Sequence, residues 1–150
     1  MAKFVYKMQN ILNIKTRLET QAKTEFSQAS ARLDEEEDKL RSLILRRRTY
    51  EDELKNASND KLDINKLKQY NNYIAVIKEL MEKQALQVRV AQKNLDKARE
   101  KLNKSMQERK IHEKLREKAF DEFKKELKAE EKKEIDQLVS FTYNDRGKKA

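Results

Sequence analysis

His112 is the single histidine of the chain and there is no cysteine, so nothing at metal-ligand spacing and no thiolate is available. Charged residues surround His112, and it reads as a surface or seam histidine rather than a general base. The acidic run Glu35-Glu36-Glu37-Asp38 is the densest set of carboxylates. Adjacent residues of a helix point in different directions, so these four do not converge on one cation and read as a solvated face. Arg46-Arg47-Arg48 is a local basic cluster. The remaining basic residues are interleaved with Glu and Asp, and the few aromatics form no stacking platform, so no specific nucleic-acid site is predicted. No phosphate-cradling glycine loop and no nucleophile elbow occurs. The residues predict no enzyme and no cofactor or metal site.

What would position these residues is helical throughout. The chain has 150 residues, no proline and a single glycine, Gly147. Charged residues make up 42% and apolar residues 37%, too few for a thick globular core but typical of long coiled-coil helices. The clearest pattern runs from Leu67 to Ser105. One heptad row is Leu67, Ile74, Met81, Val88, Leu95 and Leu102; the other is Tyr70, Ile77, Gln84, Ala91, Ala98 and Ser105. Steps alternating between four and three keep both rows on one face of a left-handed supercoil. Beyond it the row turns polar through Arg109, His112 and Arg116 before Ala119 and Phe123, which suggests a weakened partner helix there or none.

The first half carries a second seam: Phe4, Met8, Ile11, Lys15, Leu18 and Ala22, then Phe26, Ala29, Leu33, Glu36, Leu40, Leu43, Arg47, Tyr50 and Leu54. From Leu18 to Phe26 the steps are four and four, a one-residue skip that predicts local relaxation of the supercoil. Between the halves, the stretch 55–63 (KNASNDKLD) is rich in residues that favour turns and caps, with Asp60 or Asp63 as N-cap of the second helix.

The expected fold is therefore all-α: a long two-helix antiparallel coiled-coil hairpin with an overhanging second helix. The helices are expected at about 4–56 and 62–142, with a bend at about 57–61 and a disordered tail at 144–150. At 1.5 Å per residue they would be roughly 80 and 120 Å long. Position i should face a position near 120 − i, leaving residues beyond about 116 without an intramolecular partner. That overhang still carries Phe120, Phe123, Leu127, Ile135, Leu138, Val139 and Phe141, which asks for a partner protein. Tyr73, Val76 and Leu80 form an apolar surplus beside the bend, more than two helices can bury. No stretch reaches the ~20 apolar residues of a membrane-spanning helix. Residues 1–14 lack the apolar region of a secretory leader, so a cytoplasmic protein is expected. The net charge of +9 implies an acidic partner.

On these residues the chain resembles the FliJ family, the coiled-coil component of the flagellar type III export apparatus. The stretch 4–12 (FVYKMQNIL) is similar to the family's opening pattern of spaced aromatics before a leucine pair. The stretch 67–74 (LKQYNNYI) resembles its second-helix start, and 114–120 (KLREKAF) with 134–136 (EID) its C-terminal segment. The resemblance implies a monomeric stalk, similar to the two-helix coil of a rotary ATPase gamma subunit. It implies binding to the export ATPase FliI with promotion of its ring assembly, contact with the export gate protein FlhA, and handling of export chaperones. It also implies peripheral membrane association through those partners. The family's gate contact falls here on Leu43, Arg46, Tyr50, Tyr73, Ile77, Leu80 and Gln84. Arg46 stands where an aromatic is expected and Gln84 where a His can stand. The ATPase-facing end is expected at the open end of the hairpin: Phe4, Tyr6, Met8, Ile11 and Leu12 with Phe120, Phe123 and Leu127. A central stalk of a rotary ATPase or injectisome, or a generic coiled-coil scaffold, would share much of this pattern.

Overall fold

The computed structural model describes residues 2–59 and 63–148, the last through its backbone only. Two helices, α1 (Gln9–Asn59) and α2 (Ile64–Lys148), pack against each other as an all-α hairpin. The absence of proline lets both run unbroken. α1 begins at Gln9 and not at residue 4, because residues 2–6 take no regular structure and a turn at 7–8 leads into the helix. At its other end α1 continues into the expected bend, as far as Asn59. Ser58 does not break it there, since its hydroxyl donates back to the Leu54 carbonyl at 2.8 Å. Asp63 is the N-cap of α2: its Oδ1 accepts the Asn65 N–H at 3.1 Å, and its carbonyl accepts that of Leu67. Asp60, the other expected cap, lies outside the described residues.

α2 also runs longer than expected, to Lys148. Residues 144–147, expected in a disordered tail, are helical; Lys149 and Ala150 lie outside the described residues. The basic side chain of Arg146 near this end is compatible with the helix dipole.

The chain divides into two compact units. In the unit of residues 20–104, the predicted rows are the buried ones. Leu33, Ala91 and Leu95 form the core, with Phe26, Ala29 and Val88 packed on it. Nearer the bend Ile74 and Ile77 are buried. Glu36 occupies a seam position at 3% exposure. Its carbonyl and its carboxylate both accept from the Gln84 amide, the former at 2.8 Å, while Arg32 reaches the same carboxylate at 2.9 Å. The Gln84 hydrogen bond, helped by Lys39 and Arg32, holds the Glu36 carboxyl below its ordinary 4.5 despite the opposing effect of burial.

In the unit of residues 1–19 with 105–150, the buried residues of α1 are Leu12 and Glu19, not Ile11 and Leu18, which are exposed. This overturns the predicted skip. With Leu12, Lys15, Glu19, Ala22 and Phe26 inward, the three-four alternation of α1 never breaks. A charged residue can hold the seam because Arg109 meets it: its Nε donates to Glu19, and its Nη1 lies 2.8 Å from Glu113. These carboxylates hold the guanidinium charge more firmly still. The polar stretch of α2 therefore does have a partner helix. Arg116 Nε also donates to the Gln9 side chain at 2.9 Å, and Lys15 Nζ to Glu108 at 3.0 Å.

Facing positions lie up to two turns further along α2 than the 120 − i rule places them, as in Tyr50 beside Tyr73 and Phe4 beside Phe120 and Phe123. The link centres beyond residue 60, because α1 ends at Asn59 and α2 starts at Ile64. Residues just beyond 116 consequently are partnered, by the segment that precedes α1. Ala119, Phe123 and Leu127 are half-buried, and every residue from Lys128 to Gly147 is exposed.

Two outcomes test the polar seam. Arg109→Ala removes the guanidinium that α2 brings to Glu19 and lowers the thermal midpoint, whereas Glu19→Leu with Arg109→Leu restores it to the native value or above, read by circular dichroism melting. An unchanged midpoint in Arg109→Ala would deny the pair any role. For Glu36 the sign is that of a lowered carboxyl: its contribution is present above the unfolded value and is lost as pH falls through the folded one. Melts on acidification below the ordinary carboxylate range should therefore show a shallower loss of midpoint in Glu36→Gln than in the native chain.

Candidate protein-docking surfaces

Near the bend, the seven residues assigned to a gate contact separate into three classes. Ile77 is buried at 5% exposure, and Gln84 is committed to Glu36, so both face the seam. Leu43 and Tyr50 are half-buried. Arg46, Tyr73 and Leu80 are exposed, Tyr73 at 45%. The Tyr50 and Tyr73 rings lie 5.5 Å apart in a tilted stack that ties the two helices at this edge. α1 contributes an open groove along the same surface, lined by Ser42, Leu45, Arg46, Thr49 and Tyr50 among others. The arrangement offers an aromatic and a leucine side by side with a guanidinium, a combination suited to an apolar peptide segment carrying an acidic residue.

At the open end, the second set is held together by aromatic contacts. Phe4 packs edge-on against Phe120 at 5.1 Å and against Phe123 at 5.5 Å. Arg116 lies over the Phe4 ring and Lys124 over the Phe120 ring, at 5.9 and 4.5 Å from the centroids. Because residues 2–6 are not helical, Phe4 and Tyr6 can turn toward α2, where Phe4, Tyr6, Met8, Ala119 and Phe123 line one groove. The buried Tyr6 hydroxyl has no hydrogen-bond partner among the described residues. Leu12 is buried and Leu127 half-buried; Met8, Ile11 and Phe120 present apolar surface. The last turns of α2 add Ile135, Leu138, Val139, Phe141 and Tyr143, all more than half exposed.

Sequence reasoning missed the Glu19–Arg109 pair, and the signal was present. Taking the strict three-four step from Phe26 backward lands on Glu19, ninety residues from an arginine at an equally strict seam position. It also missed the exposed outer residues Leu86, Val90, Ile111 and Leu115, which spacing from the seam marks as outward. Among the described residues no helix is long and apolar enough to cross a membrane.

A search among curated proteins finds no match for the chain. Among solved structures, the fold is similar to that of CT670 from Chlamydia trachomatis, described as a candidate YscO homolog, with a TM-score of 0.74 at 22% identity over 99% of this chain and 100% of that one. The family model for the flagellar FliJ protein matches residues 4–148. Two long helices in this order, with the family's pattern running from Phe4 into the last turn of α2, have one reading: the chain belongs to the FliJ family, components of the type III export apparatus.

Proposed function

We propose that this chain is a non-enzymatic stalk of flagellar protein export that binds the export ATPase FliI and promotes its ring assembly, contacts the gate protein FlhA, and receives export chaperones. Family membership over residues 4–148 is the observation that carries the reading. The physical support is that both assigned surfaces leave apolar side chains in water that a two-helix seam cannot cover. The open end, with Met8, Ile11 and Phe120 exposed around the Phe4 cluster, is the ATPase-facing surface of this proposal. Arg46, Tyr73 and Leu80, beside the half-buried Leu43 and Tyr50, form the gate-facing one; Ile77 and Gln84 act there by holding the seam beneath. The excess of basic charge favours an acidic partner and makes association weaken with salt. The setting is the cytoplasmic face of the cell membrane, reached through partners.

Stimulation of FliI is the direct test. The rate of ATP hydrolysis by FliI should rise when the native chain is added, and Met8→Asp with Ile11→Asp should remove most of that rise while helicity is unchanged. Persisting stimulation would move the ATPase contact elsewhere. For the gate, Tyr73→Ala with Leu80→Ala should weaken binding to FlhA by about tenfold or more, as loss of an aromatic anchor does. Equal affinity in both chains by titration calorimetry would remove the patch.

A further inference from the structure

Within residues 20–104, the exposed side of α2 carries a column at seven-residue spacing that reads Val76, Lys83, Val90, Lys97, Lys104. All five residues are exposed, Val76 and Val90 each by more than half. The adjoining column is Tyr73, Leu80, Gln87, Asn94 and Lys101. It forms the edge against α1, closed by the Tyr73–Tyr50 stack at one end and by the 2.8 Å bond from Lys101 to Glu25 at the other. Neither column holds an acidic residue. The acids of this stretch of α2, Glu79, Glu82, Asp96 and Glu100, all fall in columns beyond it. Among the described residues, Lys83, Lys97 and Lys104 make no ion pair, although Glu100 stands three residues from Lys97 and four from Lys104. On the opposite flank of the seam the charges are mixed: Glu37, Arg48 and Glu51 on α1 stand with Lys78, Glu82, Arg89 and Asp96 on α2.

We propose that this edge is a docking groove for one acidic amphipathic helix of another protein. Its apolar residues would rest on Val76, Leu80 and Val90, and its carboxylates would meet Lys83, Lys97 and Lys104. Three features select that partner. A strict seven-residue repeat on an exposed face is the repeat at which another supercoiled helix keeps contact along its length. Lysine at the flank of such a seam covers apolar surface with its stem and selects partners of opposite charge with its head. Three lysines without internal partners leave that charge for something outside the hairpin. A lipid surface suits the edge poorly, because interfacial helices insert a broad face of bulky residues, and here the valines recur only every second heptad. Nucleic acid suits it poorly too, since no aromatic accompanies the lysines from 83 to 104. The groove shares Leu80 with the proposed gate surface, while its valines and lysines lie outside that surface, and it stands whether or not the export reading does.

The test uses the full chain and a labelled synthetic helix of about four heptads, with Leu at the seam positions and Glu at the flanks, monitored by fluorescence anisotropy. A second peptide carries Lys in place of Glu. Lys83→Glu with Lys97→Glu and Lys104→Glu should weaken binding of the Glu peptide about tenfold or more. Arg48→Glu with Lys78→Glu and Arg89→Glu makes the same charge change on the opposite flank and should leave affinity within about twofold. Val76→Ser with Val90→Ser should weaken it as well. All substitutions are at exposed positions, and equal helicity by circular dichroism verifies that each variant folds. Equal losses in the two charge-reversed variants would reduce the effect to net charge and overturn the groove. So would equal binding of the Lys peptide. Tighter binding of phosphatidylserine vesicles or duplex DNA than of the Glu peptide, lost in the Lys83, Lys97 and Lys104 variant, would assign the edge to a membrane or to nucleic acid and overturn it equally.

Discussion

The unbroken three-four spacing of inward residues along α1 is the constraint on which the other features depend. It requires a charged residue, Glu19, to sit where an apolar one would ordinarily pack. That is tolerable only with a matched cation opposite, and Arg109 is at the matching place on α2. Glu36 and Gln84 make a second polar contact of the same kind. Leucine against leucine tolerates a slip of one heptad with little penalty, whereas a buried carboxylate tolerates it less, because the slip takes away the group that meets it from the other helix. The polar contacts thereby select one alignment of the two helices among several that the apolar residues alone would accept.

Once the alignment is set, the exposed faces are set with it. Two helices share only a narrow seam, so any apolar residue off the three-four rows must face water. Tyr73, Val76, Leu80, Leu86 and Val90 in one unit, and Ile111, Leu115 and the residues of 135–143 in the other, are left in this way. Single exposed apolar residues mean little, but recurrence at heptad spacing is what another helix needs for contact along its length. The chemistry available to such a chain is recognition: aromatic anchors, lysine and arginine heads, and apolar rows. Its specificity rests on which of these stand on the same flank. The contrast between the two acid-free columns of α2 at 73–104 and the mixed charges of the opposite flank is of that kind, invisible in a net charge of +9.

The aromatic cluster at the open end illustrates how a non-helical segment extends a coiled coil. α1 starts at Gln9, yet Phe4 still packs on Phe120 and Phe123, since a chain without helical constraint can turn its side chains where geometry of the helix would not. The contact lengthens the paired part of α2 to Leu127, beyond which no described side chain is buried. The apolar residues of the last turns thus lie on a helix with no intramolecular cover, and their exposure is a direct result of unequal helix lengths.

Much of this was legible in the residues alone. The absence of proline, the rows of α2 from Leu67 to Ser105 and the capping residue Asp63 determined two helices, because helical period and helix caps are local properties. The row from Phe26 to Leu54 was legible for the same reason. Three things were decided only by tertiary contact. The three-four step back from Phe26 marks Glu19 as inward, but that a charge is accepted there depends on Arg109, ninety residues away. The commitment of Gln84 to the Glu36 carbonyl and carboxylate, at a position the heptad row already marked as inward, depends on where α1 lies. The packing of Phe4 on Phe120 and Phe123 depends on the meeting of chain segments at the open end. Periodicity states which residues share a face; only the opposing helix determines which face is covered and which charge it can accept there.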